Sequence, residues 1–146
     1  MQHAYEHPIT VEPVTLEGAH VRLEPLTMAH LEPLIASGAT DPTLTQWFGS
    51  PITNVDELRA YIDAGLRERA RGESVPFATI DRATGKTVGA TRYMNIDRAN
   101  HKLEIGFTFV CKPWQRSAVN TGAKYLMLRH AFETCGCMRV ELKTRA

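Results

Sequence analysis

The six residues Gln115 to Asn120 (Gln-Arg-Ser-Ala-Val-Asn) stand where a strand gives way to a helix, a position with a chemistry of its own. Leu103, Ile105, Phe107 and Phe109 alternate with Glu104, Gly106, Thr108 and Val110, the period of two expected of a half-buried strand. Pro113 ends that strand, because it has no N–H to give a ladder. From Ala123 to Cys135 the residues are good helix formers, and Gly136 supplies a left-handed stop. Met138 to Leu142 then resumes alternation. Asn120 or Thr121 is expected to cap the helix by accepting from its free N–H groups. Those N–H groups converge where the helix dipole is positive, so the segment is a candidate site for a phosphate or another anion. The pattern alone is common among α/β proteins.

The elements that must position this unit precede it. Residues 1–15 contain Pro8 and Pro13 and read as an extended arm. Val21 to Leu26 alternates as a first strand, and Thr27 can cap a helix through Ile35 that Pro33 kinks or delays. Ser37 to Thr53 is a loop, yet it carries Trp47 and Phe48; an aromatic pair there either lines a substrate site or plugs the core. Asn54 with Glu57 resembles a capping box. In the helix that follows, Leu58, Tyr61, Ile62, Gly65 and Leu66 share one face. Phe77 to Asp81 and Thr87 to Ile96 read as strands joined through Ala83-Thr84-Gly85-Lys86, with Gly85 where φ > 0 is expected. A polar turn from Asp97 to His101 leads into the Leu103 strand. The resulting order is β-α-α-β-β-β-α-β, in a single domain spanning residues 1–146 with no internal repeat.

Composition narrows the class. A chain of 146 residues with 43% hydrophobic and 23% charged residues is an ordinary globular domain. A formal net charge of +1 gives no reason to expect nucleic acid or an anionic membrane as a partner. No apolar run approaches membrane-spanning length, and MQHAYEHPIT lacks the basic and apolar regions of a signal peptide, so a cytoplasmic protein is expected. Cys111, Cys135 and Cys137 read as reduced, small apolar residues, and the scattered histidines give no metal-ligand spacing; no metal is expected.

Three stretches, LEIGFTFV, KPWQRSAVNTGAKYLMLRHAFE and GCMRVELKT, resemble the GNAT superfamily of N-acetyltransferases, most closely the branch of the ribosomal-protein N-terminal acetyltransferases. HVRLEPLTMAHLEPL and FATIDRATGKTVGATRYMNID extend the resemblance over nearly the whole chain. It implies an α/β (α+β) fold, a central, mostly antiparallel mixed sheet flanked by helices. The family continues with a further helix and two more strands, so a sequence ending at Thr144-Arg145-Ala146 is expected to be C-terminally incomplete.

The resemblance also implies acetyl-CoA as cosubstrate and a primary amine as acceptor, which in that branch is a protein N-terminus. The family's phosphate loop (Gln or Arg, two residues, Gly, one residue, Gly or Ala) matches Gln115, Arg116, Ser117, Ala118, Val119 and Asn120, with Thr121 following and Ala118 in place of the first glycine. Alanine adds a methyl where backbone approaches phosphate. By the same resemblance strand residues Phe107 to Val110 lie beside the pantetheine arm, with Phe109 and Val110 as the cofactor contacts, and Glu104 is the candidate base, its carboxyl expected to be raised by burial. Trp47, Phe48, Tyr93 and Asn95 are candidates for the acceptor site, with Tyr93 and Asn95 open to a plain cross-strand or turn role. The competing reading is a non-catalytic or truncated CoA-binding or assembly module, and a homodimer is expected from family analogy.

Overall fold

Short turns between alternating segments dictate antiparallel neighbours, and a helix between two strands permits a parallel pair. The computed structural model describes residues 7–142; the first six residues of the expected arm, and Lys143 with Thr144-Arg145-Ala146, lie outside them. Strands β1 (Leu16–Glu17), β2 (Val21–Pro25), β3 (Val75–Asp81), β4 (Thr87–Asp97), β5 (Lys102–Val110) and β6 (Arg139–Leu142) form one sheet in chain order. All neighbours are antiparallel except β5 and β6, which α3 (Ala118–His130) joins by a crossover. Helices α1 (Leu31–Ala36) and α2 (Val55–Ala70) lie between β2 and β3. The expected order thus holds, with β1 added as a two-residue ribbon.

The sheet separates two cores. Val21, Leu23, Phe77, Tyr93, Leu103 and Ile105 pack against Val119, Ala123, Leu126 and Met127 of α3. On the other face Ala78, Ile80, Ala90 and Phe109 meet Leu34 of α1 and Leu58 and Ile62 of α2. The side-chain stripe read for α2 is therefore its inner face, and Gly85 adopts φ +74° in the β3–β4 hairpin as expected.

Strand β5 departs from its simple alternation. Ala90 pairs with Phe109 but Arg92 with Gly106, so Thr91 faces two residues, Phe107 and Thr108. Phe107 takes φ +47°, a left-handed conformation that costs a non-glycine residue about 1–2 kcal/mol. This is a β-bulge, and one inserted residue exchanges the faces of everything after it. Leu103 and Ile105 lie under α3, whereas Phe109 lies in the other core and Phe107 packs against Phe48 and beneath Arg92. The four do not share one face. Beside the bulge, a Cβ on Gly89 would collide with the Phe109 carbonyl oxygen. Gly89→Ala is expected to cost about 1–3 kcal/mol, the usual range for overpacking, measured as a lower midpoint of urea unfolding.

Helix starts also differ in detail. Asn54 accepts from the Glu57 N–H at 2.8 Å, but the Glu57 carboxylate accepts from the N–H of Thr53, one residue before the expected capping-box donor. Helix α3 starts at Ala118 rather than after Asn120, because Arg116 turns the chain left-handed and extended Ser117 caps it. Asn120 and Thr121 therefore belong to the first turn. At its far end α3 passes into a wide turn, Ala131–Cys135, before Gly136 stops it at φ +88°.

Candidate functional site

After β5 the chain makes a single tight turn, Lys112–Trp114, and enters α3. Gln115 donates through Nε2 to the Val110 carbonyl at 2.9 Å, which folds its side chain back onto the strand end. Ser117 donates to the Trp114 carbonyl and accepts from the Val119 N–H at 3.2 Å. Both side chains thus brace the loop. The first four N–H groups of a helix lack intrahelical acceptors, so once Ser117 serves Val119, those of Ala118 and Asn120 remain for an anion. Ala118 has ordinary helical backbone, and the left-handed residue is Arg116 at φ +60°. Alanine at 118 therefore introduces no backbone strain. Ala118 and Thr121 are exposed, and Arg116 is an exposed cation at the helix start.

Two cavities flank this helix start. One of about 500 Å³ is lined by His20, Asp81, Arg82, Trp114 and Ala118; the other, about 660 Å³, by His20, Ser117, Thr121 and Tyr125. Trp114 fastens the loop to the β3–β4 hairpin, its Nε1–H donating to Asp81 Oδ2 at 3.1 Å. Burial pushes the Asp81 carboxyl up, but donors from Thr84, Trp114 and Ala83 together bring it below the usual carboxylate range. Such a depressed carboxyl stabilises the fold above its unfolded pKa, and the gain is lost as pH falls through the lower, folded value. Trp114→Phe is expected to cost about 1–2 kcal/mol at neutral pH. The deficit should shrink below about pH 4, where Asp81 begins to protonate in the unfolded chain, and urea titrations at the two pH values would read it.

The second half of the site lies on the opposite face of the sheet. A cavity of about 440 Å³ is bounded by Phe48 to Ile52, by Ala60, Tyr61, Ala64 and Glu68 of α2, and by Arg92 and Phe107. Phe48 forms its aromatic wall, stacked on Tyr61 at 6.2 Å and edge-on to Phe107 at 5.3 Å. Trp47, its sequence neighbour, is 62% exposed and does not line it. Glu104 is half-buried on this face; Oε1 accepts from Asn95 Nδ2 at 2.7 Å and Oε2 lies beside Gly106, one residue from the bulge. Asn95 reaches it from a left-handed position, φ +47°. Tyr93 is elsewhere. It is fully buried under α3, where its hydroxyl donates to the Met127 carbonyl at 2.6 Å and its ring meets Phe77. Phe109 and Val110 have buried side chains, so only their backbone can face a ligand.

Sequence reading did not pick out Tyr61, Glu68 or Arg92 as site residues. Arg92 is 2% exposed, pairs with Glu68 at 3.2 Å, and lies over the Tyr61 ring at 4.7 Å. Two local signals mark it: a lone charge, Arg92, in the otherwise uncharged stretch VGATRYMNI, and a glycine, Gly65, in the middle of a helix. Among the described residues no group of three or more His, Cys, Asp or Glu converges as a metal site, and no helix is long and apolar enough to cross a membrane.

With that geometry the chain can be compared with known proteins. The sequence model of the acetyltransferase (GNAT) domain matches residues 20–146. Among solved structures, a GCN5-related N-acetyltransferase from Brucella melitensis is 28% identical, covering 92% of this chain and 62% of its own, with a TM-score of 0.82. A structure from T. thermophilus, described as an acetyltransferase, is 35% identical over 92% of this chain and 69% of its own, with a TM-score of 0.77. An acetyl transferase from Salmonella typhimurium that modifies the N-terminal serine of a 50S ribosomal subunit protein is 13% identical over 88% and 74%, with a TM-score of 0.74, and shows the fold alone. This chain spans less than two thirds of the Brucella protein's length, at 62%. None of the curated proteins matches it.

Proposed function

Since the chain belongs to the GNAT acetyltransferase family, we propose that it transfers an acetyl group from acetyl-CoA directly to a primary amine in a ternary complex. The observation that carries the reading is β5. Its bulge residue Phe107 lines the 440 Å³ cavity, Glu104 lies three residues before it, and the far end of the strand leads through the Lys112–Trp114 turn to the N-terminus of α3. Donor and acceptor can therefore be held by a single strand.

The residues at the helix start suit a nucleotide diphosphate. The N–H groups of Ala118 and Asn120 and the dipole of α3 supply the anion site, with Arg116 in reach for a charge-assisted contact. Gln115 and Ser117 keep the loop in shape; Val119 and Thr121 extend its first turn. Acetyl-CoA supplies an activated thioester carbonyl. Glu104 takes a proton from the incoming ammonium, directly or through one water, and Asn95 Nδ2 orients the carboxylate that does so. As the neutral amine adds to the carbonyl the C–S bond breaks; the nitrogen gives up its second proton and the departing thiolate takes one up, so the products are an amide and a free thiol. Phe48 shapes the acceptor wall by aromatic packing.

A protein N-terminus is the acceptor this reading favours, from the resemblance of KPWQRSAVNTGAKYLMLRHAFE to the ribosomal-protein N-terminal acetyltransferase branch. The reaction is placed in the cytoplasm, and a homodimer is the assembly in which we place the enzyme. Calorimetric titration of acetyl-CoA into this chain tests the reading: micromolar binding is expected, followed by release of free thiol when amines are added. Binding without thiol release would instead favour the CoA-binding module, and no binding would refute both.

A further inference from the structure

The left-handed bulge at Phe107 needs something to hold it, since a bulky residue leaves that conformation unless its surroundings over-determine it. Three contacts converge on it. The Tyr61 hydroxyl donates to the Phe107 carbonyl at 2.8 Å, the Phe48 ring meets the Phe107 ring edge-on, and the Arg92 guanidinium lies over that ring at 5.2 Å. Arg92 also lies over the Tyr61 ring, and it stands opposite Gly106, the residue before the bulge. It is itself tightly seated. Glu68 pairs with its Nη1 at 3.2 Å, and Gly65 leaves room for Nη2, where a Cβ would come within 3.2 Å. Its Nε is buried with no hydrogen-bond partner among the described residues. A desolvated cation in that state is retained against an energetic penalty, which a purely structural site would avoid by using an apolar side chain of similar size.

We propose that Arg92 is a positioning residue for acetyl transfer: its guanidinium, in contact with the Tyr61 and Phe107 rings, fixes the β5 bulge against α2 and so aligns the acceptor cavity with the donor strand. This rests on the proposed transferase reading for its catalytic consequence, but its structural half stands independently. A planar guanidinium suits this place because it can meet two aromatic rings through its π-faced cation while an Nη–H donates to Glu68. Lysine keeps the charge and loses both the plane and the fork.

The test combines kinetics with the backbone carbon shifts of Phe107, which separate left-handed from extended conformation. In Arg92→Met, a variant of similar length, Phe107 is expected to move to extended shifts and kcat to fall about tenfold or more, the scale on which small misplacements act. Acetyl-CoA affinity should stay within a few-fold, because α3 is untouched. Arg92→Lys should rescue stability but not kcat. Should Arg92→Met fail to fold, Gly65→Ala serves: the added methyl presses on Nη2 while alanine favours the helix, so a stable protein with lowered kcat is expected. Phe107 remaining left-handed in a folded Arg92→Met protein would overturn the proposal, whatever kcat does. If the wild type transfers no acetyl group while Arg92→Met still displaces Phe107, the transferase reading fails and only the structural half, Arg92 holding the bulge, survives.

Discussion

Glu104→Gln is expected to lower kcat by about 10²-fold or more, the range in which a positioned base contributes, while acetyl-CoA binding changes by less than about twofold. Glutamine keeps the volume and the acceptor oxygen that Asn95 meets, so the 2.7 Å contact and the fold should persist. Only the capacity to take a proton is lost. The residual activity then depends on amine deprotonated by solvent, so the variant's rate should climb with pH in step with the free-amine fraction, more steeply than the wild type's. A rate within about threefold of wild type, or an unchanged pH dependence, would remove Glu104 from the mechanism. Asn95→Ala should give a smaller fall in the same direction, because it leaves the base in place but unoriented.

Ala118→Asp should weaken acetyl-CoA binding by about 10²-fold while leaving the thermal midpoint unchanged or raised. The two effects have opposite signs for one reason. A carboxylate at the first position of α3 complements the helix dipole and is worth about 0.3–1 kcal/mol to the fold. The same charge beside a pyrophosphate repels it by about 3–4 kcal/mol at 4–5 Å near a protein surface. Ala118→Gly is the control. Because residue 118 is already helical and only the residue at 116 is left-handed, removing the methyl should change affinity by less than about threefold. Calorimetric Kd values and melting curves for the two variants would decide it. Unaltered binding in Ala118→Asp would place the phosphates away from α3.

The features legible along the chain are local ones. The order of strands and helices, the inner face of α2, the Gly85 turn and the Gly136 stop all follow from periodicity and turn chemistry within a few residues. The strand–loop–helix unit around Gln115 to Asn120 was legible for the same reason, although its cap proved to be Ser117. Trp47 and Phe48 carried equal signals, and only the packing of Phe48 on Tyr61 and Phe107 separated them. Tyr93 reads as a cross-strand residue anywhere along the chain; the crossing of α3 over that face buried it. The bulge at Phe107 was illegible because LEIGFTFV alternates equally well with or without it, and the choice is made by β4 across the ladder. The partners that hold it are equally remote: Glu68 lies 24 residues from Arg92, and Tyr61 lies 46 from Phe107. A residue's neighbours in sequence set its conformation; which side of the sheet it faces, and which charge it meets there, are set by strand register, and register is a property of the folded chain.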